Sequence, residues 1–350
     1  MLELKNISKK LGGFALHDIF LNVTNGEYFV LLGESGAGKT MLLEIIAGLS
    51  KADKGSIVFN GQEISAVRAN KRGIGLVFQD NAIFPHLNVE KNIAYSLHGK
   101  GFTKSEILSR VLKWAETMNI ENLLNRKTSG LSGGELRRVA LARTLAMEPA
   151  ILLLDEPLSS LDILIQYDMI RLLKNLNKGG QTIIHVTHDF NEAYSLADTL
   201  AIINAGTIEQ TGPPPEVFKN PASRFVSALA GIRNFFTCVD LKSNVEQHCL
   251  LIGEGFQLFS SEPCPPGCSF FIREDEIEIQ QNNYEKGNNV FDGVITDIIP
   301  SPDFFSVAVN AEVTFCLRIK KEDIKNPAIY IGSNVQIKIP LKAIVPVIKK

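Results

Sequence analysis

The chain has 350 residues, of which 45% are hydrophobic and 21% are charged, the ordinary composition of a soluble globular protein with two or three domains. Its formal net charge of −2 provides no electrostatic basis for binding nucleic acid. No run approaches the roughly 18 apolar residues of a membrane-spanning helix, and the N-terminus lacks the apolar segment of a secretory signal. We therefore expect a cytoplasmic chain, unless a partner tethers it.

Up to about residue 230, short apolar runs alternate with helical stretches, which predicts an α/β domain with a largely parallel sheet. Two early runs, LELKNIS (2–8) and GSIVFNGQEI (55–64), are instead typical of antiparallel strands. The candidates for buried strands are YFVLLG (28–33), GIGLVFQ (73–79), ILLLDE (151–156), TIIHVTH (182–188) and LAIINAG (200–206).

Residues 86–148 are predicted to form a helical insert that interrupts this sheet. Near its end lies LSGGELRRVALARTL (131–145), in which Ser132 and Glu135 have the spacing of a helix capping box. A capping box does not require Gly133 and Gly134, and a glycine in a helix costs about 1 kcal/mol relative to alanine. The pair therefore indicates that another group approaches the start of this helix closely.

After residue 231 the helical pattern gives way to short strands and turns, which predicts a second domain over 232–350, an all-β barrel, after an α/β domain over 1–231. The second domain is mildly acidic, with 12 Lys and Arg against 15 Asp and Glu. An odd number of cysteines in an unexported chain argues against a disulfide framework. CPPGC (264–268) is either half of a metal site or, more simply, a proline–glycine turn. The cysteines are Cys238, Cys249, Cys264, Cys268 and Cys316.

GESGAGKT (33–40) directly follows an apolar strand and fits the phosphate-binding pattern G-x-x-x-x-G-K-[ST]. Backbone N–H groups of such a loop, with the dipole of the helix that follows, hold phosphate oxygens. Lys39 is expected to reach the β- and γ-phosphates of ATP, and the Thr40 hydroxyl to bind Mg²⁺. The predicted ATP-binding residues of the loop are Gly33, Glu34, Ser35, Gly36, Ala37, Gly38, Lys39 and Thr40.

Polar side chains end three other predicted strands. Asp155 would add a carboxylate to the Mg²⁺ shell, and Glu156 would polarise the water that attacks the γ-phosphate. His188 is either an ordinary residue at the rim of the core or a hydrogen-bonding partner of that phosphate or water. The carboxamide of Gln79 is placed to touch Mg²⁺ or the water.

Taken together, these motifs resemble the ATP-binding cassette (ABC) family over residues 1 to about 230. They comprise the Walker A loop (33–40), the Q-loop at Gln79, the LSGGE signature (131–135), Walker B (151–156), the D-loop SSLD (159–162) and the switch histidine, His188. All occur in the order that the family shows.

The resemblance implies a homodimer in which each ATP lies between the Walker A loop of one subunit and the signature of the other. Ser132, Gly133, Gly134 and Asp162 would then contact the ATP held by the partner subunit, at a helix start whose dipole favours the anion. Side chains on the two glycines would hold the subunits apart. The family also stacks an aromatic ring on adenine shortly after the first strand, and the counterparts in this chain are Leu11 and Phe14.

Three classes of function compete for such an ATPase: the energising subunit of a membrane importer, a soluble cassette protein of translation or DNA repair, and a module that uses ATP only as a switch. Translation-type members usually carry two cassettes, and repair types carry long insertions, whereas this chain has one compact cassette. Glu156 and His188 argue against an inactive switch. The resemblance therefore implies an importer subunit at the cytoplasmic face of the membrane, working with permease subunits and, indirectly, with an extracytoplasmic substrate-binding protein.

Phe84, Pro85, His86 and Leu87 follow Gln79 closely, where importer cassettes form the groove for a permease's coupling helix. The simpler alternative is a loop that packs onto the helical insert. The C-terminal segments GIRNFF (231–236), FIREDEIEI (271–279) and KIPLKAIVPVI (338–348) resemble molybdate/tungstate importer ATPases, whose accessory domain is of the TOBE/MOP type with an oligonucleotide-fold-like barrel. Arg273-Glu274-Asp275 departs from the usual Arg-Pro-Glu. Molybdate or tungstate is the leading cargo, with sulfate, ferric iron, polyamines and sugars as alternatives.

Overall fold

The computed structural model describes residues 1–243, 248–252, 256–280, 287–323 and 329–347. The chain divides into two compact units, Met1–Val217 and Phe218–Lys350. This division lies fourteen residues before the expected boundary after residue 231, which stays a prediction.

The first unit, which is described throughout, combines two sheets with helices. Its strands are β1 (Leu2–Leu11), β2 (Phe14–Val23), β3 (Tyr28–Leu32), β4 (Lys54–Phe59), β5 (Gln62–Glu63), β6 (Ile74–Val77), β7 (Ile151–Asp155), β8 (Thr182–Thr187), β9 (Thr199–Asn204) and β10 (Thr207–Gly212). The α-helices among the described residues of both units are α1 (Lys39–Ala47), α2 (Val89–Tyr95), α3 (Lys104–Thr117), α4 (Gly133–Leu145), α5 (Ile163–Lys178), α6 (Phe190–Leu196), α7 (Pro214–Lys219) and α8 (Arg224–Leu229).

The larger sheet of this unit has the strand order β10-β9-β3-β8-β7-β6. Neighbouring strands from β9 to β6 pair in parallel, and β10 pairs antiparallel with β9 at the edge. Every residue of β3, β7 and β8 is buried, as expected for a parallel sheet that is covered on both faces. The predicted α/β fold with a largely parallel sheet is therefore confirmed.

The register of this sheet brings the ends of its strands level. Leu32 pairs with Thr187, and Asp155 pairs with Val186. In an open parallel sheet, ligands bind beyond the carboxyl ends of the strands. The loops that follow β3, β6, β7 and β8 therefore meet at one edge, and these are the loops with the predicted site residues.

The smaller sheet, β2-β1-β4-β5, is antiparallel and contributes to the core on which the phosphate-binding loop rests. The helical insert consists of α2, α3 and α4. Both hydrogen bonds of the predicted capping box are present at α4: Glu135 N–H donates to Ser132 Oγ (3.3 Å), and Ser132 N–H donates to Glu135 Oε2 (2.7 Å). The predicted insert and its cap are confirmed.

The described part of the second unit is built of antiparallel strand pairs, together with α8, the end of α7 and short 3₁₀ helices. Phe270, Ile295 and Phe315 belong to one core to which all of its sheets contribute, which confirms an all-β barrel-like domain. The strands are β11 (Asn234–Thr237), β12 (Asp240–Ser243), β13 (His248–Ile252), β14 (Phe256–Ser260), β15 (Ser269–Ile272), β16 (Glu278–Gln280), β17 (Val290–Pro300), β18 (Phe304–Ala311), β19 (Val313–Lys320), β20 (Asn334–Lys338) and β21 (Ile344–Pro346).

CPPGC forms a turn in which Cys268 N–H donates to the Pro265 carbonyl (3.0 Å). Burial and the neighbouring Cys238 and Cys268 raise the pKa of the Cys264 thiol to about 12, so this thiol stays protonated at neutral pH. Among the described residues, no group of three or more His, Cys, Asp or Glu side chains is arranged to hold a metal ion. The Cys249 side chain is not among the described parts of the structure. The same holds for Ile348, the last residue of the segment KIPLKAIVPVI (338–348).

The segment Arg273-Glu274-Asp275 anchors structure within the second unit. Glu274 is buried and accepts hydrogen bonds from Arg233 Nε (2.6 Å) and Nη2 (3.2 Å). Arg273 Nη2 donates to the Phe218 and Lys219 carbonyls (2.9 and 3.2 Å). The hydrogen bonds of Arg233 and Arg273 therefore hold this segment in place, although its sequence differs from the usual Arg-Pro-Glu.

Candidate functional site

The phosphate-binding loop leaves β3 and enters α1 through Gly38, which has a φ of 101°. A Cβ at Gly38 would lie 2.6 Å from Leu16 Cδ2 and 2.8 Å from the Phe14 ring, so only glycine fits between the loop and β2. Lys39 folds back over the loop and donates to the carbonyls of Gly33 (2.8 Å) and Glu34 (2.9 Å). The ammonium group is thereby held at the mouth of the loop.

The burial of the Lys39 ammonium and the charges around it suit a group that binds an anion. Burial lowers the pKa of its ammonium, and the charges of Glu156 and Asp155 oppose that shift. A phosphate at the loop would add negative charge and stabilise the charged ammonium further. These surroundings are compatible with the predicted binding of phosphate at the loop.

Asp155 ends β7 beside the start of α1. Thr40 Oγ1 lies 3.1 Å from Asp155 Oδ2, so the two predicted Mg²⁺ ligands are adjacent. Burial raises the pKa of Asp155, the hydrogen bond from Thr40 lowers it, and the charge of Glu156 raises it again. A hydroxyl and a buried carboxylate with a raised pKa form an oxygen-only donor set that Mg²⁺ fits. Bound there, the ion would offset the negative charge of the phosphates.

Glu156 has an unusual backbone conformation for a residue with a side chain, with a φ of 45°. The Glu156 N–H donates to the Val186 carbonyl (2.9 Å), and Ser159 Oγ donates to the Glu156 carbonyl (2.8 Å). These bonds hold a left-handed conformation of the kind that functional sites retain at some cost in stability.

The Glu156 carboxylate lies between the other two predicted catalytic side chains. Gln79 Nε2 donates to Glu156 Oε2 (3.3 Å), and His188 Nδ1 lies 3.1 Å from Glu156 Oε1. Residues from the ends of β6, β7 and β8 thus converge on one point beside the phosphate-binding loop. A base there, with two polar neighbours to orient it, is equipped to activate a water molecule.

The two glycines at the start of α4 have different surroundings. A Cβ at Gly134 would lie 2.7 Å from Ile165 Cγ2, so this glycine is required by packing against α5 of the same chain. A Cβ at Gly133 would have no atom within 4 Å, so the fold itself does not require that glycine. Ile165 lies three residues after Asp162, which places the signature and the D-loop on one surface.

Residues 16–159 match the model of the ABC transporter family. Over 235 residues the chain is 44% identical to the molybdate/tungstate import ATP-binding protein WtpC of Thermococcus kodakarensis, an alignment that covers 67% of this chain and 71% of the relative. This chain belongs to the ABC transporter ATP-binding proteins.

One further relative and one solved structure are similar to this ABC protein. It is 37% identical over 311 residues to the spermidine/putrescine import ATP-binding protein PotA of Protochlamydia amoebophila, covering 86% of this chain and 83% of that one. The dimeric post-hydrolysis structure of the cassette MJ0796 with ADP and Pi matches with a TM-score of 0.55 and 31% identity, covering 61% of this chain and 99% of that one. The chain is thus an ATPase coupled to transport. Among its described residues, no helix is long and apolar enough to cross a membrane.

The segment after Gln79 in this ABC protein is shaped by a residue that sequence reasoning missed. The side chain of Asn92 is fully buried and exchanges hydrogen bonds with the backbone N–H and carbonyl of Phe84 (3.0 and 3.1 Å). The Phe84 ring packs on Tyr95, with 4.2 Å between ring centroids, while Pro85 and His86 are exposed. A fixed, partly apolar surface results, and its role stays a prediction.

Arg137 is the second residue that sequence reasoning missed. It lies on the buried side of α4, where it donates to the carbonyls of Phe78 (2.9 Å), Gln79 (3.0 Å) and Glu156 (3.4 Å). A single guanidinium group thus ties the signature helix to the segments that carry Gln79 and Glu156. An arginine beside the apolar residues of this helix was the available signal, but the sequence does not show which carbonyl groups it binds.

The two candidates for adenine stacking differ in exposure. Leu11 is 64% exposed at the end of the β1–β2 hairpin, whereas the Phe14 ring is half-buried against Gly38. Part of Phe14 already serves the packing of the loop. Stacking by either residue stays a prediction for this ABC protein.

Proposed function

We propose that this chain is the ATP-hydrolysing subunit of a binding-protein-dependent importer, with molybdate or tungstate as its cargo. It acts as a homodimer on the cytoplasmic face of the membrane, bound to permease subunits that receive cargo from an extracytoplasmic binding protein. The observation that carries the catalytic part is the placement of Glu156 between Gln79 and His188, beside Lys39 and the Thr40–Asp155 pair. The cargo rests on the 44% identity to a molybdate/tungstate import protein.

Each residue of the site has a distinct role in this proposal. Lys39 and the loop amides would hold the β- and γ-phosphates, and Thr40, Asp155 and Gln79 would hold Mg²⁺, which would supply positive charge beside the phosphates. Glu156 accepts a proton from the attacking water while His188 steadies the γ-phosphate. Charge develops on the phosphate oxygens during transfer, so catalysis depends mainly on positioning and electrostatics.

The homodimer is supported by residues that the single chain leaves uncovered. Gly133 faces open space at the N-terminus of α4, where the helix dipole favours a phosphate. Next to Asp162, Ile163 and Leu164 are 69% and 79% exposed, an unusual exposure for large apolar side chains unless a partner covers them. A second copy of the chain would cover both features and complete the ATP site.

Polyamine import is the second candidate for the cargo. The alignment with the spermidine/putrescine import protein spans 86% of this chain, compared with 67% for the molybdate/tungstate protein. The acidic balance of the C-terminal domain also suits a cationic cargo. An oxyanion remains compatible with that balance if backbone N–H groups coordinate it.

Isothermal calorimetry on the full-length protein separates these cargoes. Molybdate and tungstate are expected to bind saturably, whereas sulfate, spermidine and maltose serve as matched negative ligands. Saturable binding of spermidine alone would favour the polyamine importer. The experiment takes the C-terminal domain to bind the transported ion, so the absence of binding for both molybdate and tungstate would count against an oxyanion as the cargo.

The substitution Phe84→Asp tests the permease surface. The change places a charge beside Tyr95 on the surface that Asn92 holds in shape, so we expect assembly with the permease subunits to be lost. ATP hydrolysis by the purified subunit should stay within about twofold, because Phe84 contacts none of the catalytic side chains. Co-purification from membranes and a phosphate-release assay measure the two properties.

Leu108→Asp is the matched control for that experiment. Leu108 is a half-exposed apolar residue on α3 of the same helical insert, so this variant adds the same charge at a different place. It should assemble normally. Normal assembly of Phe84→Asp would show that the segment 84–87 is not the permease groove.

A further inference from the structure

A buried polar cluster lies directly behind His188, and none of its members was assigned a role. It consists of Tyr28 on β3, His185 and Thr187 on β8, Glu192 on α6 and Gln166 on α5. Their side chains are buried, apart from that of Gln166, which is partly exposed. Buried charge is costly unless it is fully paired, so such a cluster requires a physical reason.

The Glu192 carboxylate is the centre of this cluster. Thr187 Oγ1 donates to Glu192 Oε2 (2.6 Å), and Gln166 Nε2 lies 3.3 Å from Glu192 Oε1. His185 Nε2 is 3.3 Å from Glu192 Oε2, and its other ring nitrogen is 3.0 Å from the Tyr28 hydroxyl. Thr187 and Gln166 thus donate to one carboxylate, and the His185 ring lies beside it without a hydrogen bond of good geometry from Nε2.

These contacts keep Glu192 ionised inside the protein. Burial raises its pKa, but the adjacent His185 ring and the hydrogen bonds from Thr187 and Gln166 outweigh burial and leave the pKa below its ordinary value. Burial, with a contribution from the charge of Glu192, raises the pKa of Tyr28 well above its usual range, so the phenol stays protonated. The cluster is therefore a neutral phenol, an imidazole and a fixed carboxylate.

The same bonds hold the turn that presents His188. Thr187 Oγ1 also accepts the Asp189 N–H (3.0 Å), and the Thr187 carbonyl accepts the Gly33 N–H (3.3 Å). His188 thus lies between Thr187 and Asp189, which this hydrogen bond joins to each other. Thr187 is itself held by Glu192. Because His188 is exposed at this point, its position relative to Glu156 depends on the turn.

Gln166 extends the cluster toward the predicted dimer surface. Its backbone N–H donates to the Asp162 carbonyl (2.8 Å), and its side chain lies against Glu192. The D-loop and the His188 turn are therefore joined through one carboxylate. A shift of the D-loop at the predicted dimer surface would therefore be transmitted to the His188 turn through Gln166, Glu192 and Thr187.

We propose that Glu192 is a positioning residue for ATP hydrolysis, which fixes His188 opposite Glu156 by holding Thr187 and which joins this turn to the D-loop through Gln166. This inference rests on the proposed function, because it assumes that Glu156 and His188 act on ATP. Glu192 itself touches neither nucleotide nor water. Its effect should therefore appear in kcat and not in the binding of ATP.

Two substitutions test the role from opposite sides of the Glu192–Thr187 bond. Glu192→Gln preserves shape but places an amide N–H₂ against donors, and Thr187→Val removes the hydroxyl while preserving volume. Each should lower kcat about tenfold or more, with the KM for ATP within about twofold, because misplacing a reacting group by about 1 Å costs up to about 100-fold. The double variant should be no slower than the slower single variant, and Thr187→Ser should restore kcat.

Thr182→Val is the matched control. Thr182 is a buried threonine at the opposite end of the same strand, where its hydroxyl accepts the Gly26 N–H (2.8 Å). It should lower the melting temperature about as much as Thr187→Val while kcat stays unchanged. Equal kcat losses in both threonine variants would assign the effect to general destabilisation and overturn the proposal.

Glu156→Gln, assayed in parallel, separates this inference from the proposed function. If Glu156→Gln is inactive while Glu192→Gln and Thr187→Val keep parental kcat, the positioning role alone is wrong. If Glu156→Gln hydrolyses ATP normally, the proposed mechanism fails, whatever the effect at Glu192.

Discussion

Replacing Glu156 by glutamine is expected to lower the kcat for ATP hydrolysis by at least about 100-fold without weakening the binding of ATP. Glutamine keeps the size of the side chain and can still lie between Gln79 and His188, but it cannot accept a proton from water. The Lys39 and Thr40 contacts of the phosphate-binding loop are not altered. The loss therefore falls on the chemical step.

The same variant should form a dimer that depends on ATP. If ATP lies between two subunits, an enzyme that binds but does not cleave it keeps the bridging γ-phosphate in place. Size-exclusion chromatography with Mg²⁺-ATP should give a dimer for Glu156→Gln and a monomer with ADP. A monomer at saturating ATP would contradict the shared site.

Glu116→Gln provides the control for this experiment. Glu116 is exposed on α3 and contacts no predicted site residue, so the same chemical change there should leave kcat and oligomeric state as in the parent protein. If Glu156→Gln keeps half or more of the parental kcat, Glu156 is not the base.

The second large effect is expected for Gly133→Asp. In the single chain this position has open space, and an acidic residue in the first turn of α4 interacts favourably with the helix dipole by about 0.3–1 kcal/mol. The melting temperature should therefore stay the same or rise. Hydrolysis should fall by at least about 100-fold, because the carboxylate occupies the place and carries the charge of the partner's γ-phosphate.

Gly134→Ala should behave in the opposite way. Its Cβ would lie 2.7 Å from Ile165 Cγ2, so the expected defect is a lower melting temperature with overpacking against α5. Thermal unfolding and phosphate release, measured on both variants, separate a glycine required by a partner from a glycine required by the fold. Full activity of Gly133→Asp would exclude a nucleotide at this helix start.

Mixed dimers decide whether the signature acts across the subunits. When one protomer carries Lys39→Ala and its partner carries Gly133→Asp, one composite site holds both changes and the other holds neither. The mixed sample should hydrolyse ATP although each homodimer is inactive. An inactive mixture would show that each chain uses its own signature helix.

Much of the site followed from local sequence. A parallel sheet places the ends of its strands at one edge, so Lys39, Asp155 and His188, which follow apolar runs, were expected to lie together before any contact was known. The capping box at Ser132 was equally readable, because its two hydrogen bonds join residues three apart. In each case a short segment contains the whole physical reason.

Other features depend on partners that are far apart in the chain. Arg137 reaches Phe78 across 59 residues, and Gln166 reaches Glu192 across 26. Buried polar side chains have no periodic pattern that names their partner, so Arg137, Asn92 and Glu192 did not stand out. Their hydrogen bonds to the segments of the site became visible only when the donors and acceptors were paired.

Gly133 and Gly134 show, in two adjacent residues, what local sequence predicts and what only contacts between distant segments decide. The sequence alone predicted that side chains are excluded at the start of α4, since an ordinary helix does not open with two glycines. Only the tertiary structure separated them, because Gly134 meets Ile165 while Gly133 meets nothing in its own chain. Composition and spacing determine which chemical groups are present, but the close approach of distant segments decides which of them serve packing and which remain free to meet a ligand.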